Sequence, residues 1–449
     1  MFVLHLALGG CLKAPPVLFG ITSDTGGHIA YVLHAAAAQA ALPGHRVTIV
    51  TRLFHAPTLG SAHAMPMERL DNGVVIERIA TPTPTYLDKE ALAAELPAFA
   101  AAFCEKLATL PRLPDLIHAH FADAAFVALQ ARRRFGIPMV FTPHALGIDK
   151  RAQGLGSRSL DARIAAERRA IREADAIIVS TRDEAGRQLA AYDAHPTGIV
   201  ARIPPGVSRQ AQARHEPGLA DHLGQWLDEP GRPIVLAIAR AVRKKNLASL
   251  LRAFAGTPDL AARANLVILA GQQGAHASAE ERAVVEELHR LRVEHGLQGR
   301  VALPARHAPA DVGALYHRAA QGGVFANPAF HEPFGLTLIE AASAGVPVVA
   351  TREGGAAEIL STIGHGLAVD PRDDAAIGQA LLRIVRDEAL HRRLARAARC
   401  GVGAYDWARY AERSADLYAA LCHAAAAREA WPALGAVLRP SEAMPEDVS

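Results

Sequence analysis

Two glutamates, Glu332 and Glu340, interrupt the largely apolar segment HEPFGLTLIEAASAGVPVVATREGG. Buried carboxylates are costly unless cations or hydrogen-bond donors partner them, so both side chains need a chemical explanation. One explanation is the acid–base pair of a glycoside hydrolase, whose carboxyl groups lie about 5 to 9.5 Å apart. We expect a helix to begin just after Glu332 and to end at Gly345, and eight helical residues rise about 12 Å. The two carboxylates are therefore not expected to act as a facing acid and base.

The start of this predicted helix suits an anionic ligand. The backbone amides of Phe334, Gly335 and Leu336 would be free, and a helix dipole favours negative charge at that end. Glu332 lies at the mouth of this site, where a carboxylate accepts hydrogen bonds from sugar hydroxyls, and Glu340 is placed to hold a ribose diol. A nucleotide sugar has this layout. On these residues alone the alternative stays open that Glu332 only complements the dipole and Glu340 is a surface residue.

Two other segments place suitable residues after predicted strands. IARAVRKKN brings Arg240, Lys244 and Lys245 to a strand end, where cations neutralise a diphosphate and stabilise it as a leaving group, although basic loops are usually just solvated. SDTGGHIAYVL places Gly26 and Gly27 before a helix, and glycines there permit close approach of the backbone to a ligand. Each signal is weak alone, but all lie at strand ends.

Histidines also occur at strand ends. His118 and His120 are spaced i,i+2 on one strand face and are candidate metal ligands, but no third ligand is evident, so we expect no metal site. His144 follows another strand, and as an isolated histidine it is somewhat more easily explained as structural than as functional.

The elements that must position these residues are alternating strands and helices. Thirteen short β-rich runs, each followed by an alanine-rich helical stretch, predict parallel sheets covered by helices on both faces. Thirteen strands are too many for one such sheet. We therefore expect two Rossmann-like domains, with ligands outside the carboxyl ends of their strands. The segment from Ser208 to Arg232 has linker composition. We expect an N-terminal domain over 1–207, a C-terminal domain over 208–404, a helix at about 405–430 that packs back on the first domain, and a poorly ordered tail over 431–449.

Composition excludes several classes of partner. The net charge of +3 over 449 residues argues against a nucleic-acid binder, and no apolar run is long enough to span a membrane. The four cysteines lie far apart without a C-x-x-C pair, which favours a reduced, cytoplasmic protein.

At this point the residues resemble a known family. HEPFGLTLIE resembles the E-x7-E signature of retaining, GT-B-fold glycosyltransferases of family 4. More narrowly, the segments above together with IHAHFADAAFVA, FTPHALGIDKR and ARIPPGV resemble the branch of sucrose-phosphate synthases, sucrose synthases and mannosylfructose-phosphate synthases. The resemblance runs from the first strand to about Trp407. It implies two Rossmann-like domains facing each other across a cleft.

The resemblance also implies a donor site. Arg240 and Lys245 would bind the donor diphosphate, and His144 and Glu332 would contact the donor sugar. The remaining donor-binding residues implied are Gly26, Gly27, Phe334, Gly335, Leu336 and Glu340.

The acceptor side matches the family less closely. Lys89, Lys150 and Arg163 fit the positions that hold the phosphate of fructose 6-phosphate, and three cations suit a dianion, although solvated charges remain the alternative. His28 stands near the acceptor where the family usually has glutamine. Three further departures, which also leave the identity of the acceptor open, are Phe121, Ala145 and Ala162.

The expected activity is transfer of a hexosyl unit, glucose from UDP-glucose, to a sugar phosphate such as fructose 6-phosphate, with retention and without a protein nucleophile. We expect that no cofactor is required and that Mg²⁺, if it binds, is not essential. We do not expect a phosphatase domain in these 449 residues, so a separate phosphatase would act on a sugar-phosphate product. The alternatives are another donor such as GDP-mannose or ADP-glucose, an unphosphorylated acceptor as in sucrose synthases, and a non-catalytic nucleotide-sugar-binding protein.

Overall fold

The computed structural model of the chain describes residues 1–152, 158–207, 218–274 and 277–437. Within these residues the strands form two sheets, each covered by helices on both faces. The expected class, two α/β domains built on parallel sheets, is confirmed.

The first sheet contains eight strands. They are β1 (Phe2–Leu6), β2 (Arg46–Arg52), β3 (Met67–Arg69), β4 (Val75–Ile79), β5 (Leu116–His120), β6 (Met139–Thr142), β7 (Ala176–Val179) and β8 (Ile199–Arg202). Their order in the sheet is β3-β4-β2-β1-β5-β6-β7-β8. Only β3 is antiparallel to its neighbour; this three-residue strand was not predicted, because it is too short to show a hydrophobic period.

In the described residues, five α-helices lie along the chain between β1 and β7. They are α1 (Gly27–Ala40), α2 (Lys89–Ala108), α3 (Phe121–Phe135), α4 (Ile148–Ala152) and α5 (Arg158–Glu173). Local sequence explains several of their ends. Asp88 caps α2 by accepting hydrogen bonds from the amides of Glu90 and Ala91, and Gly136 ends α3 in the left-handed conformation.

The second sheet contains six parallel strands in the order β11-β10-β9-β12-β13-β14. They are β9 (Ile234–Ile238), β10 (Asn265–Leu269), β11 (Val301–Ala302), β12 (Val324–Asn327), β13 (Val348–Thr351) and β14 (Gly366–Val369). The helices around them are α6 (Leu247–Ala255), α7 (Pro258–Ala261), α8 (Ala279–Glu294), α9 (Pro309–Ala319), α10 (Leu336–Ser343), α11 (Gly355–Ile363), α12 (Asp374–Arg386) and α13 (Glu388–Gly401).

A last helix, α14 (Trp407–Val437), packs against α1 of the first sheet. Its contacts include a hydrogen bond of 3.0 Å from the hydroxyl of Tyr31 to that of Tyr410. The helix continues past the position near 430 where the sequence predicted its end, and residues 438–449 lie outside the described part of the chain. No helix in the described ranges combines the length and the apolar character that crossing a membrane requires.

The two sheets meet through their loops. Glu358 of α11 accepts hydrogen bonds from the backbone amide of Arg182, at 2.7 Å, and from the side chain of Arg202. The guanidinium of Arg240, which follows β9, also donates to the carbonyl of Ser23, which follows β1. The loops at the carboxyl ends of the two sheets therefore face each other across a cleft, and the candidate residues lie in these loops.

Candidate functional site

Glu332 is almost completely buried and paired with Lys245. Its Oε2 atom accepts hydrogen bonds from Nζ of Lys245 at 2.6 Å and from Nδ2 of Asn327 at 3.0 Å. Burial alone would raise the pKa of Glu332, but the charge of Lys245 and the Asn327 hydrogen bond outweigh that effect, so the pKa is lowered. The carboxylate is therefore ionised, and it lies beside a cation at the end of β12.

A short turn after β9 holds Lys245 in place. Residues Arg243–Lys245 form one 3₁₀ turn, and Asn246 follows in the left-handed conformation with φ +56°. The side-chain amide of Asn246 donates to the carbonyls of Pro328 and Pro371, at 3.0 and 2.7 Å. This buried asparagine ties the lysine turn to the loops after β12 and β14, which explains how a basic segment is held at the cleft rather than solvated.

Helix α10 begins later than the sequence predicted. We expected it just after Glu332, but the first helical residue is Leu336, because Gly335 has φ +109° and cannot continue into a right-handed helix from the preceding residues. Within the described residues, no hydrogen-bond acceptor is found for the amides of Phe334, Gly335 and Leu336. These three donors and the positive end of α10 are suited to hold an anion next to Glu332.

Glu340 lies half-buried on α10 and accepts a hydrogen bond of 3.1 Å from the hydroxyl of Tyr316 on α9. Burial raises the pKa of Glu340, and the tyrosine only partly offsets that effect. No cation pairs with Glu340 in the described residues, in contrast to Glu332. A carboxyl without a cationic partner in the described residues suits hydrogen bonding to hydroxyls.

Arg240 reaches across the cleft. Its guanidinium donates to the backbone carbonyl of Ser23, which lies in the loop before α1. Next to it, behind Gly271 at the end of β10, a cavity of about 260 Å³ is lined by residues from the loops after β9 and β10 and from α8, among them Ala241 and Glu281. Arg240 thus lies between this cavity and the opposite domain.

Gly27 brings α1 close to α10, whereas a Cβ atom added at Gly26, the residue before the helix, would meet nothing within 4 Å. Gly27 is the first residue of α1, and a Cβ atom added there would lie 3.1 Å from Cδ1 of Leu336, the first residue of α10. The N-termini of two helices from different domains therefore meet at one point in the cleft. That meeting concentrates positive helix ends where an anion would bind.

His144 follows β6 with φ +57°, and Phe121 follows β5 with φ +68°, both in the left-handed region that non-glycine residues rarely adopt. Their rings lie 5.0 Å apart, and the ring of Tyr31 stands edge-on to His144 at 4.7 Å. Burial, together with His28 and Lys89, lowers the pKa of His144 far below its usual value. The imidazole is therefore neutral at physiological pH.

His28, on the first turn of α1, packs edge-on against Phe121 with ring centroids 5.0 Å apart. Burial and the charge of Lys89 lower the pKa of His28 to about 4. The side chain occupies the position of the glutamine expected from the family pattern, and it contributes a neutral imidazole there.

Two of the three predicted acceptor cations gather around Phe121. Nζ of Lys89 lies 4.3 Å from the centre of the ring, and the guanidinium carbon of Arg163 lies 6.0 Å from it. Arg163 is largely engaged, because it donates to Glu167 at 2.7 Å and to the carbonyl of Ala145 at 2.6 Å. The side chain of Lys150 lies outside the described part of the structure.

Three buried histidines meet beneath His144. In the described residues, His5, His118 and His120 bring one ring nitrogen each within 4.8 Å of the others. The sequence argument against a metal, that no third ligand was evident, was wrong, since His5 of β1 supplies a third imidazole. The six ring nitrogens are nevertheless all hydrogen-bonded. Their partners are Gln39, Thr142, Tyr418, His144 and, between them, His5 and His120.

Sequence reasoning missed His5, Gln39, Asn246 and Tyr316. One signal for His5 was available, because a single histidine inside the otherwise apolar strand FVLHL must find a hydrogen-bond partner in the core. The other three depend on contacts with residues far away in the chain, which no local pattern reveals.

Comparison with known families matches both halves of the chain. Residues 26–206 match the family described as glycosyl transferase 4-like domain, and residues 222–400 match the glycosyl transferases group 1. The chain is 31% identical to sucrose-phosphate synthase of Spinacia oleracea, covering 87% of this chain and 45% of that protein. It is 30% identical to sucrose-phosphate synthase of Zea mays, covering 91% and 46%. The chain thus spans less than half the length of these curated relatives.

Solved structures agree with this assignment. Sucrose-phosphate synthase from Thermosynechococcus elongatus superposes with a TM-score of 0.78 at 27% identity, covering 94% of this chain and 99% of that one. Anabaena HepE in complex with UDP-glucose has the same fold, with a TM-score of 0.69 at 19% identity over 94% of this chain and 100% of that one. The chain therefore belongs to the GT-B glycosyltransferases of group 1, on the sucrose-phosphate-synthase-like branch.

Proposed function

We propose that the chain is a retaining hexosyltransferase that moves glucose from UDP-glucose to a sugar phosphate such as fructose 6-phosphate. The observation that carries this proposal is the Lys245–Glu332 pair beside the amides of residues 334–336, for which the described part of the chain supplies no acceptor. A cation and free amides suit the donor diphosphate, and a carboxylate suits the hydroxyls of the donor sugar.

The choice of substrates follows the relatives. HepE was solved with UDP-glucose, and the curated relatives are sucrose-phosphate synthases. The cavity behind Gly271 suits the nucleobase, because it opens next to Arg240 on the donor side of the cleft. Glu340, which accepts a hydrogen bond from Tyr316 and pairs with no cation in the described ranges, suits the ribose hydroxyls.

In the proposed reaction the nucleoside diphosphate leaves as an anion, which Arg240, Lys245 and the N-terminus of α10 stabilise. The acceptor hydroxyl attacks from the face that the diphosphate leaves, and a leaving phosphate oxygen takes its proton. The anomeric configuration is therefore retained, and no side chain acts as a nucleophile. Glu332 and His144 hold the donor sugar while the bond breaks, and Gly26 and Gly27 allow α1 to approach it.

Lys89 and Arg163 are proposed to meet the acceptor phosphate, with Lys150 as a third cation. A second candidate acceptor is an unphosphorylated sugar, as in sucrose synthases. Two observations favour that alternative: the guanidinium of Arg163 is bonded to Glu167 and to the carbonyl of Ala145, and Phe121 has no hydroxyl.

A matrix of donors and acceptors tests these assignments. UDP-glucose, ADP-glucose and GDP-mannose are each combined with fructose and with fructose 6-phosphate, and products are identified by mass spectrometry and by the anomeric coupling in NMR. We expect a retained α-linked disaccharide phosphate from UDP-glucose and fructose 6-phosphate. Turnover with free fructose alone would assign the second acceptor. Donor binding without turnover for any pair would instead identify a non-catalytic nucleotide-sugar-binding protein.

The setting proposed for this reaction is the cytoplasm, in keeping with four cysteines that are all unbonded. We propose no required metal, and Mg²⁺ at most as a non-essential ion. A sugar-phosphate product would be the substrate of a phosphatase reaction.

A further inference from the structure

A line of buried hydrogen bonds leads from α14 to the cleft. It passes through Gln39 of α1, His5 of β1 and His120 of β5, and it ends at His144 after β6. We call these four residues the histidine chain. Gln39 and His5 are fully buried, and His120 is 1% exposed, so solvent does not compete for their hydrogen bonds.

The direction of the first bond is set by α14. The hydroxyl of Ser414 donates to the carbonyl of Ala411 at 3.0 Å, so its oxygen accepts from the side-chain nitrogen of Gln39 at 2.8 Å. The hydroxyl of Tyr418 accepts from the same nitrogen at 3.1 Å and lies 2.7 Å from His118. The amide nitrogen of Gln39 therefore faces α14, and its oxygen Oε1 faces His5.

Each histidine then has one possible arrangement of its proton. Gln39 Oε1 only accepts, so Nε2 of His5 donates to it at 2.7 Å. Burial lowers the pKa of His5 to about 4, so the ring is neutral and its Nδ1 atom accepts from Nε2 of His120 at 2.8 Å. By the same reasoning Nδ1 of His120 accepts from Nε2 of His144 at 2.8 Å.

We propose that the histidine chain holds His144 as the Nε2–H tautomer, so that its Nδ1 atom presents a lone pair to the cleft and accepts a hydrogen bond from a hydroxyl of the donor sugar. Nδ1 of His144 has no hydrogen-bond partner in the described residues, and the side chain is only partly buried. The neighbouring Ala145 lines a small cavity with Lys244 and Pro333 of the donor side. Gln39, His5 and His120 are thus positioning residues, since they act on the ligand through His144.

The contact with the sugar rests on the proposed function, but the tautomer does not. A metal among His5, His118 and His120 would have to replace hydrogen bonds at three of their ring nitrogens, so the proposed tautomer requires that these rings bind none. The histidine chain determines which nitrogen of each ring carries the proton, and it leaves every ring uncharged.

Labelling histidine with ¹⁵N tests the tautomer directly in the full chain described above. We expect the His144 signal to show a protonated Nε2 and an unprotonated Nδ1, with the assignment made from the His144→Asn variant. A protonated Nδ1, an even mixture of tautomers, or one equivalent of tightly bound zinc by elemental analysis would overturn the proposal whether or not the protein is active.

The variant Gln39→Leu tests the link to the ligand. It removes the acceptor for His5, so we expect mixed tautomers at His144. Affinity for UDP-glucose should fall about tenfold while affinity for UDP, which lacks the sugar, stays within about twofold. The control is Tyr410→Phe, which removes a buried hydroxyl of α14 outside the histidine chain and should leave tautomer and affinities unchanged. A folded Gln39→Leu protein with the wild-type tautomer and UDP-glucose affinity would refute the proposal.

Discussion

The Lys245–Glu332 pair and the histidine chain are both buried polar groups. The free-energy cost of burying them is offset in different ways. Lys245 and Glu332 are opposite charges 2.6 Å apart, and each neutralises the other. The histidine chain contains no net charge, because burial lowers the pKa of every ring, and its members depend on the direction of their hydrogen bonds. We therefore predict that removing one charge destabilises the pair. The histidine chain should instead lose its effect when the donor and acceptor roles in its hydrogen bonds are no longer fixed.

Lys245→Ala should have the largest effect. It removes the cation proposed for the diphosphate, so we expect kcat/KM to fall at least about 1,000-fold. It also leaves Glu332 buried without its counter-charge, which should cost about 3 kcal/mol of unfolding free energy. Steady-state kinetics and urea denaturation measure the two effects. The exposed Arg243, in the same turn, provides the control, and Arg243→Ala should change neither quantity much.

The double variant Lys245→Met with Glu332→Gln separates the two causes. Since no charge is left unpaired, most of the lost stability should return while activity stays absent. If the double variant is as unstable as Lys245→Ala, then packing rather than charge explains the cost. If Lys245→Ala retains near-normal turnover, the lysine is not a donor ligand.

The same contrast explains what the sequence predicted and what it did not. Glu332, Lys245 and Arg240 were located because parallel strands end on one edge, so that a charged residue after a strand can be assigned to the cleft without knowing its contacts. The start of α10 was misplaced because the helical pattern of FGLTLIE does not reveal that Gly335 adopts φ +109°. His5 was overlooked because its partners come from α1 and β5. Which strands lie next to each other is decided by the topology of the sheet, and the local sequence does not reveal it.

Glu340→Ala should have a smaller and different effect on the donor side. Because Glu340 is proposed to hold the ribose and not the reacting sugar, we expect KM for the donor to rise about tenfold with kcat changed less than about threefold. The control is Tyr316→Phe, which removes one hydrogen bond to Glu340 and keeps the carboxyl; it should have less effect. A collapse of kcat in Glu340→Ala would move this glutamate to the reacting centre, next to Glu332.

As the pH falls, protonation should destabilise the buried histidines at a higher pH than it disrupts the Lys245–Glu332 pair. The unfolded protein binds protons on its histidines below pH about 6.5, whereas His5 in the folded protein resists protonation down to about pH 4. Stability is therefore complete above pH 6.5 and is lost as the pH falls, by up to about 1.4 kcal/mol per pH unit for each buried neutral histidine. Urea denaturation between pH 7.5 and 5 measures this slope. His118 lies beside the histidine chain, and burial lowers its pKa in the same way, so His118→Asn should reduce the slope. An unchanged slope would show that His118 does not remain neutral in the folded protein.

Turnover should respond to pH least of all. A histidine that works through its lone pair loses activity when it is protonated, and an ordinary imidazole would produce that loss near pH 6.5. Burial and the neighbouring His28 and Lys89 keep the pKa of His144 far below this value. We therefore expect kcat of the folded enzyme to change less than about twofold between pH 8 and 6, measured at saturating substrate and at a temperature where the protein stays folded. An acidic limb near pH 6.5 that disappears in His144→Asn would show that this ring does become charged, and the contrast between a charged pair and a neutral chain would no longer hold at the cleft.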